Sequence, residues 1–132
     1  MCRRDSHGGS ADWDGTGNLH DVATDMGLAL LTEPTDLIGH SFGATVALRL
    51  AIEHPELVRS VTMIEPVYFA AALKDEPKLV GDALGTNQEF NDAWAAGDTY
   101  GAARAFNRAW GDGTKWDDFS DRARTYMAER IH

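Results

Sequence analysis

The amino-acid sequence predicts an α/β fold: a parallel strand–helix–strand unit followed by a helical region. Three observations lead there. The short run Leu37-Ile38 leads into Gly39-His40-Ser41-Phe42-Gly43 and then into an apolar helix, the order in which a G-x-S-x-G pattern has structural meaning. A second strand-like run, Ser60-Val61-Thr62-Met63-Ile64, completes strand, helix and strand within about thirty residues, so the two strands should be parallel neighbours. Beyond Val67 the strand pattern stops and the periodicity is helical.

Taken in chain order, residues 6–18 are rich in Gly, Ser and Asp and read as a loop. Asn18 can cap a helix whose apolar face is Leu19, Val22, Ala23, Met26, Ala29 and Leu30, with Glu33-Pro34 breaking it. Thr35-Asp36-Leu37-Ile38 is the first strand. The next helix is apolar nearly all round, through Ala44, Val46, Ala47, Leu48, Leu50, Ala51 and Ile52, with Arg49 and Glu53 paired on what remains of a wet face. Pro55 ends it, and the second strand closes at Glu65-Pro66. Residues 87–96 and 99–110 read as helices closed by Gly97 and Gly111, and a last helix runs from about Ser120 onward. The expected division is a partial core over residues 1–66 and a helical region over 67–132.

Composition narrows the function. With 132 residues, 43% hydrophobic and 25% charged, the chain has the profile of one modest globular domain. A net charge of -9 disfavours nucleic-acid partners, which reward clustered Lys and Arg. Cys2 is the single cysteine, so an internal disulfide and a cysteine-based zinc site are both excluded. No apolar run approaches the ~20 residues of a membrane helix. With no leader pattern at Met1, a cytoplasmic location is the expectation.

The chemistry rests on Gly39-His40-Ser41-Phe42-Gly43. A serine on a sharp strand-to-helix turn needs neighbours without Cβ atoms, so that strand and helix can approach closely; Gly39 and Gly43 serve that end. The helix start behind Ser41 supplies a favourable dipole, and the Phe42 N–H is one of two expected oxyanion donors. Ser41 is the expected nucleophile.

These residues carry a family resemblance. The stretch from Asp36 to Ala44, then Glu53-His54-Pro55-Glu56 and Val61-Thr62-Met63-Ile64-Glu65-Pro66, resembles the central block of capped α/β-hydrolases. His7-Gly8-Gly9-Ser10 is similar to the family's segment after its fourth strand, with Ser6 where glycine is usual and Arg3 where aspartate is usual. The resemblance implies a fragment of a parallel-sheet α/β-hydrolase core followed by cap-like helices. It implies a small-molecule ester or related acyl substrate, with neither cofactor nor metal.

A serine hydrolase also needs a histidine within about 3 Å of the serine hydroxyl. His40 points to the opposite face from its neighbour Ser41. His54 lies thirteen residues along the helix, roughly 20 Å away. His7 and His20 precede the nucleophile, against the order serine, acid, histidine, and His132 is the final residue. None is placed as the base. In the family, earlier strands bring the second oxyanion donor and later ones the histidine, so the chain is expected to be an internal piece of a hydrolase about twice as long and a poor catalyst by itself.

Glu65, at the carboxyl edge of the second strand, is the candidate acid; some relatives place there the carboxylate that orients the histidine. Its bland alternative is a turn cap before Pro66. Asp12-x-Asp14-x-Thr16-Gly17 only faintly imitates a calcium loop, because Ala23 stands where a bidentate glutamate is required. Trp94, Trp110 and Trp116 are expected to pack rather than to bind, and Asp112, Asp117 and Asp118 to be solvated. Two other functions stay open: a non-catalytic remnant that packs against a partner, and acyl transfer or cofactor-free haloperoxidase chemistry on the same elbow.

Overall fold

The computed structural model describes residue 13 and residues 15–78 and 88–131, which gather into two compact units, Met1–Phe69 and Ala70–His132. The segment His7-Gly8-Gly9-Ser10, the pair Asp12 and Asp14, Cys2 and His132 lie outside the described residues.

In the first unit, helix α1 spans Leu19–Leu28. The Asn18 side chain caps it by accepting from the His20 and Asp21 N–H groups. The helix ends five residues before the expected break at Glu33-Pro34. Ala29 is its cap residue, and the chain tightens there: the Leu30 N–H donates to Gly27 O and the Leu31 N–H to Leu28 O. Such i→i−3 bonds close the last turn of a helix. Leu30, which continues the apolar pattern, is left exposed.

Strand β1 (Thr35–His40), helix α2 (Phe42–Glu53) and strand β2 (Val58–Ile64) follow. β1 and β2 pair in parallel, with Leu37 beside Val61, Gly39 beside Met63 and His40 beside Ile64. This is the parallel unit the sequence predicts. α2 packs on both strands, and α1 packs on α2. The interface is built from small residues, with Ala44, Ala47 and Leu50 buried. Along β1 burial alternates, so Leu37 and Gly39 turn inward while Asp36, Ile38 and His40 turn outward. Ile38 is 76% exposed and Ile52, at the end of α2, 70%.

The second unit is helical among its described residues. Helix α3 spans Gln88–Ala95, α4 Thr99–Trp110 and α5 Asp121–Glu129, with a 3₁₀ turn at Trp116–Asp118. α4 packs against both α3 and α5, its close approach permitted by buried Ala102, Ala103 and Ala105. Asp98 caps α4 by accepting from the Gly101 N–H at 2.8 Å, and Ser120 caps α5 by accepting from the Ala123 N–H at 3.2 Å. The tryptophans split. Phe90 stacks on Trp94 and tilts against Phe106, yet Trp94 and Trp110 both keep much of their surface in solvent.

Candidate active site

The site is built where β1 turns into α2. Ser41 has φ 52° and ψ −121°, a conformation that an L-residue with a side chain rarely adopts. Such a residue lies about 1–3 kcal/mol above a relaxed one and persists only where its surroundings fix it. One fixing contact is visible on the strand side: the Ser41 N–H donates to Ile64 O at 2.9 Å, extending the parallel ladder by one bond.

Gly39 shows why the turn tolerates nothing larger there. A Cβ at this position would stand 2.6 Å from Ala44 Cα and closer still to Gly43 O, so the first turn of α2 lies directly on the strand backbone. Gly43 is different. A Cβ there would meet nothing within 4 Å, so the expectation that both glycines make room for the approach holds for Gly39 alone.

Ser41 occupies the position before the first helical residue, yet its side chain caps nothing. Its hydroxyl is therefore not committed to the helix. The first N–H groups of a helix have no partner within it and carry the positive end of its dipole. Phe42 and Gly43 are those residues in α2, so the Phe42 N–H belongs to a set suited to a developing negative charge.

Glu65 follows the last residue of β2, one step beyond the His40–Ile64 pair, at the same carboxyl edge as Ser41. It too has a positive φ, 47°. Both strands of the sheet thus end in a non-glycine residue with left-handed φ. The Glu65 carboxylate lies 3.5 Å from His40 Nε2, and both side chains are open to solvent, 84% and 65% exposed. The described histidines are each engaged elsewhere: His40 with Glu65, His54 Nδ1 with Glu56 at 3.6 Å, and His20 with Thr45. Among the described residues, no histidine bonds the Ser41 hydroxyl.

A second cluster, foreseen from the sequence only in its Arg49–Glu53 pair, sits behind the elbow. His20 Nε2 lies 3.1 Å from Thr45 Oγ1, and Thr45 Oγ1 donates to Phe42 O at 2.7 Å. The His20 ring meets the Phe42 ring edge-on, with centroids 5.4 Å apart. Arg49 reaches His20 Nδ1 at 3.3 Å and Asp21 Oδ1 at 2.5 Å through Nη1, and Glu53 Oε1 at 2.8 Å through Nε. The hydrogen bonds to Asp21 and then Glu53 raise the Arg49 pKa, keeping the guanidinium charged. The separations of 25 and 29 residues hide this cluster from any local pattern.

Among the described residues no three His, Cys, Asp or Glu side chains gather as metal ligands, and no described helix is long and apolar enough to cross a membrane.

A strand, a serine with positive φ and a helix N-terminus thus meet in one sharp strand-to-helix turn. The chain belongs to the Alpha/beta hydrolase family, whose sequence profile it matches over residues 3–131. It is similar to a pimeloyl-[acyl-carrier protein] methyl ester esterase of Neisseria meningitidis serogroup C, 38% identical over 66 residues, which are 49% of this chain and 26% of that protein. It is also similar to a 2-hydroxymuconate semialdehyde hydrolase of a Pseudomonas species, 53% identical over 36 residues, which are 27% of this chain and 13% of that protein. The matched stretches thus cover about a quarter of the first relative's length and less of the second's. No solved structure matches.

Proposed function

We propose that this chain carries the nucleophile of a serine hydrolase acting on esters or related acyl compounds. Ser41 attacks the carbonyl carbon, and the Phe42 N–H stabilises the oxyanion that forms. Glu65 is the acid that would orient a histidine at the same sheet edge. The observation that carries this reading is the Ser41 backbone, φ 52° and ψ −121° between β1 and α2, with a hydroxyl that caps nothing. The ester preference draws on the first relative, a methyl ester esterase; both relatives are hydrolases by name. Residues 67–132 are assigned as the family's cap-like region on their helical content. The proton acceptor is not one of the three described histidines, so turnover at an enzymatic rate requires a base that the described residues do not supply.

The test is acylation by p-nitrophenyl acetate, followed by mass spectrometry of the digested chain. Even with a triad member missing, an elbow and its oxyanion donors retain roughly 10³–10⁴-fold of rate over water. One acyl adduct on the Ser41 peptide is expected, absent in Ser41→Ala, with Ser60 and Ser120 unmodified. Acylation spread evenly over the serines, or unchanged by Ser41→Ala, would remove Ser41 from the nucleophile role.

A further inference from the structure

We propose that His20 and Thr45 are positioning residues for the oxyanion donor, holding Phe42 from the helix side while Ile64 holds Ser41 from the strand side. The inference rests on the reading of Ser41 and Phe42 given above.

Hydrogen-bond direction fixes the arrangement. Arg49 can only donate, so His20 Nδ1, 3.3 Å from Nη1, is an acceptor. Thr24 Oγ1 also lies 3.4 Å from Nδ1, but its one proton goes to His20 O at 2.7 Å. Nε2 therefore carries the ring proton and donates to Thr45 Oγ1 at 3.1 Å. Thr45 passes its own proton to Phe42 O at 2.7 Å. The chain of donors runs one way, from Arg49 through His20 and Thr45 to the Phe42 carbonyl.

Each link has a physical task. Asp21 and Glu53 hold Arg49 in place, so Arg49 fixes the face and tautomer of His20. His20 grips residue 42 twice, through Thr45 at the carbonyl and edge-on at the ring. Ser41 would shed its strain most easily by rotating the peptide that joins it to Phe42, and that rotation would turn the Phe42 N–H away from the carbonyl it serves. The Ala44 N–H opposes it directly, donating to Ser41 O at 3.0 Å, and the grip on the Phe42 carbonyl and ring keeps the first turn of α2 where that bond can form. The Ile64 bond cannot do this alone, because it lies on the other side of Ser41.

The experiment compares Thr45→Val, Thr45→Ser, His20→Ala and His20→Gln in the full chain. Three readouts are followed: the rate of Ser41 acylation, hydrogen exchange at the Ala44 amide, which donates to Ser41 O across the turn, and melting temperature. Valine keeps the shape of threonine without the hydroxyl, whereas serine keeps the hydroxyl; glutamine restores an N–H donor where alanine has none. Thr45→Val and His20→Ala are expected to slow acylation about tenfold, less than the ~10²–10³ lost when an oxyanion donor is removed outright. Ala44 amide exchange should quicken in the same two variants, while Thr45→Ser and His20→Gln return both readouts to within about threefold of the parent.

Thr45→Val acylating at the parent rate, or exchange rising evenly across α1 and α2 with no excess at Ala44, would reduce His20 to a helix–helix contact and overturn the proposal. If the parent shows no Ser41-dependent acylation, the nucleophile reading falls. The Ala44 exchange pattern then still decides whether His20 and Thr45 hold the turn. Nitrogen-15 shifts of His20 give a further check: a protonated Nδ1 in the parent contradicts the donor order.

Discussion

Two serines stand immediately before helices in the two units of this molecule, and they are held in opposite ways. Ser120, before α5, has an extended backbone, φ −63° and ψ 154°, and its hydroxyl accepts from the Ala123 N–H. Ser41, before α2, has φ 52° and ψ −121°, and its hydroxyl caps nothing. Ser120 follows the usual logic of a helix start, in which a side chain satisfies an N–H that the helix leaves over. Ser41 abandons that stabilisation and accepts strain as well. The local chain is less stable for it, but the hydroxyl is left beside N–H groups that have no partner within the helix, at its positive end. A residue type placed identically in sequence relative to a helix can thus either cap it or leave its hydroxyl uncommitted. The backbone angle decides which.

The largest effect expected from breaking this contrast is at Gly39. Gly39→Ala puts a methyl group against Ala44 Cα and Gly43 O, backbone atoms that cannot swing aside, and should destabilise the first unit by about 3 kcal/mol. Gly43→Ala meets no atom within 4 Å and lies in the first turn of α2, so it should stabilise by up to about 1 kcal/mol through helix propensity. Urea denaturation of the two variants measures both. Equal losses would mean that the strand and the helix are not in contact as described.

Next in size is the pair of serines itself. Ser120→Ala removes a cap bond and should lower stability by about 1 kcal/mol. Ser41→Ala removes no cap bond and should stay within about 0.5 kcal/mol of the parent. Ser41→Gly relieves the positive φ and should raise stability by about 1 kcal/mol while abolishing acylation. A Ser41→Gly variant less stable than Ser41→Ala would show that the elbow is not strained.

How far the sequence carried this picture depends on the range of the interaction. Features set within a few residues were readable: the Asn18 cap, the bounds of α4 at Thr99 and Trp110, and the glycine–serine turn between an apolar run and an apolar helix. The parallel pairing of β1 and β2 was also readable, because a short crossover through one helix leaves few alternatives. The end of α1 was not. Ala29 and Leu30 keep the apolar rhythm although the chain has already turned, since periodicity records side-chain polarity and not the i→i−3 bonds that end a helix. Glu65 could be named from its place at a strand end, but its left-handed φ and its pairing with His40 depend on β1 lying alongside. Gly43 was given a packing task that only Gly39 performs, since a sequence motif records which residues are small and not which of them is crowded.

The smallest expected effect is on the acid side, where one carboxylate in each unit titrates low. Hydrogen bonds from Arg59 and Ser60 hold the Asp36 carboxyl below its usual 3.8. Those from Thr114 do the same for Asp112. For both, the folded pKa lies below the unfolded one, so the folded state binds fewer protons in that interval. Their contribution is present above the unfolded value near 3.8 and is lost as pH falls through the folded value. What each carboxylate holds differs. Asp36 on β1 accepts from Arg59 and from Ser60 Oγ on β2, so its protonation weakens a contact between strands. Asp112 accepts from the Thr114 N–H two residues on, so its protonation affects a single turn. The difference in melting temperature between the parent and Asp36→Asn should therefore be largest near pH 5 and shrink toward pH 3. Asp112→Asn should show a weaker version of the same trend, because the contact it removes is local. Both groups are exposed to solvent, which keeps either change modest. A constant gap for Asp36→Asn across that interval would mean that the Arg59 pairing does not hold β1 to β2 in solution. A steeper loss at Asp112 than at Asp36 would mean that the turn following α4 matters more to the fold than the strand pairing.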